Sequence, residues 1–183
     1  MKFTDNDTND TVIAAGINIL NSTLVGIQQG TTDTTRIGRK ITVKKIKWRF
    51  RIDLPATATA GNTSDQVRLV LLLDKQANGA APAVTDVYAD NNVLSFRNLD
   101  NTGRFVVLMD RQYGINSESG ISTSFGEKVI VDTFFKGCNI PVDYTANVGD
   151  VTDIASNNLV TLAMSRNGIA GVTGKLRISY TDI

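Results

Sequence analysis

The sequence predicts an all-β fold: a single jelly-roll β-sandwich of two four-stranded antiparallel sheets. Three observations lead there. Most apolar segments alternate with a period of two, the signature of half-buried strands. No segment sustains helical periodicity. The connections are long and rich in Gly, Asn, Ser and Thr. Seven or eight strands joined in this way point to a sandwich, with a jelly roll as first choice. A chain of 183 residues fits one domain spanning 1–183, with residues 1–30 an N-terminal arm or an extra strand. Such a chain buries roughly 70% of its unfolded surface and needs no disulfide to fold. Cys138 is its one cysteine, so no intramolecular disulfide exists.

Taken in order, Thr11 to Leu20 holds one or two short strands. Ile41 to Leu54 is a long strand. Its apolar residues fall at Ile41 and Val43, then at Ile46, Trp48, Phe50, Ile52 and Leu54. The phase slips at Lys44-Lys45, and a slip of one residue moves every later side chain to the other face unless an extra residue is absorbed. A β-bulge or bend is expected there. Gln66 to Asp74, "QVRLVLLLD", is almost wholly apolar and suits a strand covered on both faces. "KQANGAAP" turns the chain, and Val84 to Asp90 forms a short helical turn. Arg104–Gln112, Glu127–Lys136, Asn158–Ser165 and Lys175–Thr181 complete the strands. Cys138 falls just past the second of these four. The longest loops, Ala56–Ser64 and Gly114–Phe125, are candidates for an outer surface.

The composition narrows the chemistry. With no histidine, the commonest general base and metal ligand are missing. One cysteine and no histidine rule out a zinc site of the usual kind. No Walker loop, dinucleotide fingerprint or nucleophile elbow occurs. No catalytic site is expected, and the chain reads as a non-enzyme. No metal site or cofactor is expected either. Calcium is the one cation with candidate ligands, at Asp143, Asp150 and Asp153 or at Asp5, Asp7 and Asp10, although the spacing matches no EF-hand. No apolar run approaches the ~20 residues of a membrane helix, and the polar, acidic start lacks the plan of a signal peptide. No membrane partner is expected.

The informative feature is charge segregation. Eight of the 19 basic residues lie between Arg36 and Arg51 with no acid among them, leaving 11 against 18 acidic residues elsewhere, a balance of +8 against −7. Lys45, Lys47, Arg49 and Arg51 alternate with apolar residues and so line one strand face, about 7 Å apart. Each neighbouring pair costs only about 0.6 kcal/mol in water before screening. A solvated face that merely discourages edge pairing is therefore possible, but such faces usually mix signs. An unbroken stripe suits the phosphates of a nucleic acid, bound through charge without sequence readout. Trp48 and Phe50 point the other way, into the core, and are poor candidates for base stacking.

The stretch "IQQGTTDTTRIGRKITVKKIKWRFRI" resembles the start of the jelly roll in capsid proteins of small circular Rep-encoding single-stranded DNA viruses. Their pattern Gly-x-x-x-x-x-Arg-Ile-Gly-Arg-Lys-Ile is matched by Gly30 and Arg36-Ile37-Gly38-Arg39-Lys40-Ile41. "VRLVLLLDKQANGAAP" and "FRNLDNTGRFVVLMDRQY" are similar to two further family segments, a strand followed by an Asp-Lys-Gln-x-Asn-Gly turn and an Arg-Phe-x-x-Leu-x-Asp core. The capsid protein of satellite tobacco necrosis virus is similar in fold and in the style of these motifs. The resemblance covers roughly Gly26 to Tyr113 by motif and the last third by strand pattern.

The resemblance implies a coat protein of the virion, made in a host cell and self-assembling as about sixty copies into a small icosahedral shell around single-stranded nucleic acid, DNA in preference to RNA. It implies that Arg36, Arg39, Lys40 and Lys44 stand at the entry to the roll's first strand, with Lys45, Lys47, Arg49 and Arg51 along its outward face, and that these eight residues contact the genome. It also implies a basic arm ahead of the roll, whereas residues 1–28 hold one cation, Lys2. The alternative from the residues alone is a β-sandwich binding module, lectin-like or a trimeric ligand domain, with a site on its loops.

Overall fold

The computed structural model describes residues 1–54, 64–116 and 130–183. Among the described residues nine strands form two antiparallel sheets: β1 (Lys2–Val12), β2 (Gly16–Asn21), β3 (Lys40–Asp53), β4 (Ser64–Asp74), β5 (Phe105–Asn116), β6 (Ile130–Tyr144), β7 (Ile154–Ser156), β8 (Asn158–Ser165) and β9 (Gly171–Asp182). The sheet orders are β1-β9-β3-β6-β7 and β2-β8-β4-β5. Set aside the three-residue β7, and the first strand pairs with the last, the second with the seventh, the third with the sixth and the fourth with the fifth. This nested ribbon, wrapped into two sheets and closed by the β9–β3 and β8–β4 pairs, is a jelly roll. The first sheet has five strands and not the expected four, because β7 pairs with Asp143 and Tyr144 at the end of β6.

β3 is central to the larger sheet. Its burial alternates on either side of Lys44-Lys45, with Ile41, Val43, Ile46, Trp48, Phe50 and Ile52 in the core and the cations outside. The anticipated bulge is present. Between Val43 and Lys45, β3 holds Lys44 where β9 passes directly from Tyr180 to Ser179. Against β6, the same single residue faces two, Cys138 and Asn139. Lys44 Nζ bonds the Asn139 side chain at 2.9 Å across this irregularity.

The smaller sheet is buried on both faces, as the apolar run of β4 requires. Leu69, Leu71 and Leu73 face the sandwich core, while Val70 and Leu72 join Val160, Leu162 and Met164 of β8 in a second cluster on the outer side. Residues 75–104 cover that side, contributing Val87, Tyr88 and Val93, with a one-turn helix α1 (Val84–Val87). Two ion pairs pin this cover. Arg68 meets Asp110 at 2.6 and 2.5 Å and donates to the Val93 and Ser95 carbonyls. Arg104 meets the fully buried Asp74 at 2.8 and 2.7 Å. All four residues belong to the second and third motifs that carry the resemblance, and here they hold the fold.

Three elements depart from the sequence reading. β1 begins at Lys2, inside a polar stretch with no apolar alternation. An edge strand needs none: its ladder bonds with β9 and cross-strand charge pairs suffice. β6 runs on to Tyr144, so Cys138 lies inside it, half-buried with Sγ 3.6 Å from the Val43 carbonyl. The strand accommodates Pro141 because β7 reaches only the far end of β6, so Pro141 borders an open edge, where a missing N–H costs little. Finally, two strands precede the motif at Arg36–Ile41, so β3 is the third strand of the roll and not its first. The loop candidates Ala56–Ser64 and Gly114–Phe125 fall mainly outside the described residues, as does the expected strand start at 127–129.

Asp65 ties the β8–β9 connection to β4. It accepts from Ser165 Oγ at 2.6 Å and from the backbone N–H groups of Arg166, Asn167, Ile169 and Ala170. Burial alone raises its carboxyl pKa, but the Ser165 and backbone hydrogen bonds outweigh burial and leave it below the ordinary value. A depressed carboxyl pKa contributes stability that is present above the unfolded value, near 3.9, and lost as pH falls through the folded one. With no histidine in the chain, stability measured by urea unfolding should be flat from pH 5 to 8 and fall below about pH 4. Asp65→Asn should flatten that acid limb; a steep change near pH 6 would contradict this account.

At Gly174, an added Cβ would lie 2.9 Å from the Arg49 carbonyl and 3.0 Å from Trp48 Nε1. Gly174→Ala should therefore cost about 1–3 kcal/mol by overpacking, read as a lower urea midpoint at unchanged slope.

Candidate nucleic-acid interface

The eight cations do not act as one group. Arg36 is 0% exposed. Its guanidinium donates to the carbonyls of Ile27, Gly38 and Ala146 and lies 4.0 Å from the Tyr144 ring centroid. The Tyr144 hydroxyl in turn donates to the Val25 carbonyl at 2.7 Å. Arg36 is thus a clamp joining residues 25–38 to the loop after β6, and it is removed from the interface because burial and three carbonyls occupy its donors. Lys40 pairs with Asp143 at 3.1 Å and Lys44 with Asn139. Arg39 is exposed at the entry to β3.

Lys45, Lys47, Arg49 and Arg51 do share one outward, exposed face. Arg51 bonds Asp53, its neighbour two residues on. Among the described residues Lys45, Lys47 and Arg49 have no hydrogen-bond or ion-pair partner. The strand register then adds what the linear reading missed. On one side β9 places Arg177 opposite Lys47 and Lys175 opposite Arg49. The β9 cations are answered from β1, where Asp5 holds Arg177 at 2.7 and 2.7 Å and Asp7 lies 3.5 Å from Lys175. The Arg177 hydrogen bond and charge keep the Asp5 carboxyl below its ordinary pKa despite some desolvation. Charge across the sheet therefore runs from acid at the β1 edge, through paired cations on β9, to Lys45, Lys47 and Arg49 on β3, which are unpaired among the described residues. Asp5, Lys47, Arg49, Lys175 and Arg177 line a shallow depression of about 190 Å³.

On the other side of β3, the β6 residues opposite Lys47, Arg49 and Arg51 carry no charge. Val131 stands opposite Arg51, Thr133 opposite Arg49 and Phe135 opposite Lys47. Val131 and Phe135 are 72% and 61% exposed. The alternation of Lys175 and Arg177 in "KLRIS" was a usable sequence signal for the β9 cations. Nothing in the sequence says that Phe135 and Lys47 are neighbours.

The candidate calcium ligands are otherwise engaged. Asp143 holds Lys40 and Ser156, Asp150 caps the turn at Thr152, and Asp153 accepts from Gly149 N–H at 2.6 Å. Asp5 and Asp7 face β9, and the Asp10 side chain lies outside the described residues. Among the described residues no group of three metal-ligating side chains comes together.

No protein-family model matches the chain. No curated protein matches it. Among solved structures, one of red clover necrotic mosaic virus is similar over 99% of this chain and 50% of that one, with 12% identity and a TM-score of 0.40. The T13 viral particle of IBDV is similar over 97% of this chain and 30% of that one, at 6% identity and TM-score 0.32. The 60-mer BFDV capsid protein is similar over 98% and 88%, at 7% identity and TM-score 0.31. This chain thus spans half or less of the first two. The jelly-roll assignment itself rests on the strand pairing above.

Arg36→Lys keeps the charge but loses the planar fork, leaving buried carbonyls unpaired. It should cost about 2 kcal/mol in urea unfolding, while the folded variant binds an oligonucleotide like the parent. Weakened binding at parental stability would instead put Arg36 in the interface.

Proposed function

We propose that this chain is a viral capsid protein, a non-enzymatic subunit that self-assembles into a small icosahedral shell of about sixty copies and encloses single-stranded nucleic acid, DNA in preference to RNA. The observation that carries the reading is the chemical opposition of the two outer sides of the sandwich. The larger sheet presents the exposed cations Lys45, Lys47 and Arg49, which have no partner among the described residues. The segment covering the smaller sheet exposes Leu94, Phe96 and Leu99, at 62%, 86% and 79%. Clustered exposed apolar side chains mark protein contacts, and cations without acids mark a polyanion. A shell subunit needs both at once: neighbours of its own kind and a charged cargo. The three ordered sequence motifs support the same reading, although a jelly roll by itself hosts many functions.

In this reading Lys45, Lys47, Arg49 and Arg51 contact the genome backbone, with Arg39, Lys40 and Lys44 at the margin. The chain's location is then the virion, and the host cell during assembly. A second reading, a β-sandwich binding module, draws on the small depression at Asp5, Lys47, Arg49, Lys175 and Arg177, which would suit a compact anionic ligand.

Light scattering and negative-stain microscopy of the purified protein separate the two. Uniform closed particles, with an absorbance ratio at 260 and 280 nm showing retained nucleic acid, are the expected result. A stable monomer or trimer across salt and pH would overturn the shell reading in favour of the binding module.

A further inference from the structure

The larger sheet carries two parallel tracks of different chemistry. Arg51, Arg49 and Lys47 run along β3; Val131, Thr133 and Phe135 run beside them on β6, residue opposite residue. Directly opposed side chains in an antiparallel pair have Cβ atoms about 5 Å apart. Phe135 is 61% exposed, and no ring contact or stacked cation engages it among the described residues. Phe3, the other aromatic on this face, has Arg177 stacked on it at 4.6 Å, so one of its faces is already taken. Trp48 and Phe50 are buried and pack on each other at 5.0 Å.

We propose that Phe135 is a base-stacking platform, and that the face reads single-stranded nucleic acid by its bases as well as by its charge. This rests on the reading of β3 as a genome contact and adds a requirement to it. A cationic stripe alone attracts any polyanion, duplex included. A free aromatic face beside it gains energy only from bases that are not already stacked in a duplex. Phosphates lie over β3 and at least one base lies over Phe135. Val131 and Thr133 extend an uncharged track along which further bases rest. Charge complementarity selects nucleic acid over a second protein copy as the occupant: Lys47 and Arg49, next to this track, have no acid partner among the described residues, and a copy of this chain would bring the same cations.

The test measures fluorescence anisotropy of a labelled single-stranded dT oligomer, an abasic deoxyribose-phosphate oligomer of equal length, and a duplex. The parent protein should bind dT about tenfold more tightly than the abasic strand. Phe135→Ala should erase that preference while leaving the salt slope and the duplex and abasic affinities unchanged. Phe135→Trp should retain it, which guards against a folding defect, with thermal melting as the check on both variants. Lys47→Glu with Arg49→Glu should weaken all three ligands. If the parent binds dT and the abasic strand equally in a salt-dependent manner, stacking is wrong and the cationic reading stands. If no oligomer binds even at low salt, both fall. If Phe135→Ala leaves the dT preference intact but abolishes self-association, Phe135 belongs to a subunit contact and the proposal is overturned.

Discussion

The one extra residue at Lys44 sets the chemistry of the whole larger sheet. β3 must bury Ile41 and Val43 before it and Ile46, Trp48, Phe50 and Ile52 after it. Those two groups are out of phase, and a strand without a bulge would send one of them to solvent and bring cations inside. Absorbing Lys44 keeps both groups in the core and puts Lys45, Lys47, Arg49 and Arg51 outside. The irregularity passes to both neighbours, because β9 and β6 each change register at the same point. The cationic face thus follows from how the core is packed.

The two sheets solve the burial problem differently, and the surface follows from that. β4 and β8 are apolar on both faces, so the smaller sheet needs a second layer. Residues 75–104 supply it, held by Arg68–Asp110 and Arg104–Asp74. Breaking either pair would strand a poorly exposed charge, which is why such ties are costly to remove even when they add little net stability. β3 and β9 are apolar on one face only, and the outer face of the larger sheet is left open to water. The exposed apolar group on the cover and the exposed cations on the open sheet are therefore separated by the full thickness of the sandwich.

Electrostatics on the open face is decided by strand neighbours and not by chain neighbours. The +8 segment looks uniform in sequence, yet Arg36 is buried under Tyr144, Lys40 finds Asp143 and Arg51 finds Asp53. The acids Asp5 and Asp7, more than 160 residues away along the chain, arrive beside Lys175 and Arg177 and stop there. Since screening weakens exposed pairs beyond a Debye length of about 8–10 Å, they answer β9 far better than β3, two strands away.

Much of this was legible in the residues. The period of two, the apolar run of β4, the slip at Lys44 and the outward stripe follow from local rules, because side-chain alternation and bulges are properties of a single strand. So the sequence by itself determined that the protein is an all-β sandwich with a cationic strand face and no histidine chemistry. It did not determine partners. That β1 is a strand, that β6 passes through Gly137 and Pro141, that Arg36 is a buried clamp, and that Phe135 stands beside Lys47 were decided only by the tertiary structure. The physical reason is common to all four. Each depends on which distant segment supplies the hydrogen bonds, the opposite charge or the adjacent side chain, and sheet register brings those together across a separation that no local pattern encodes.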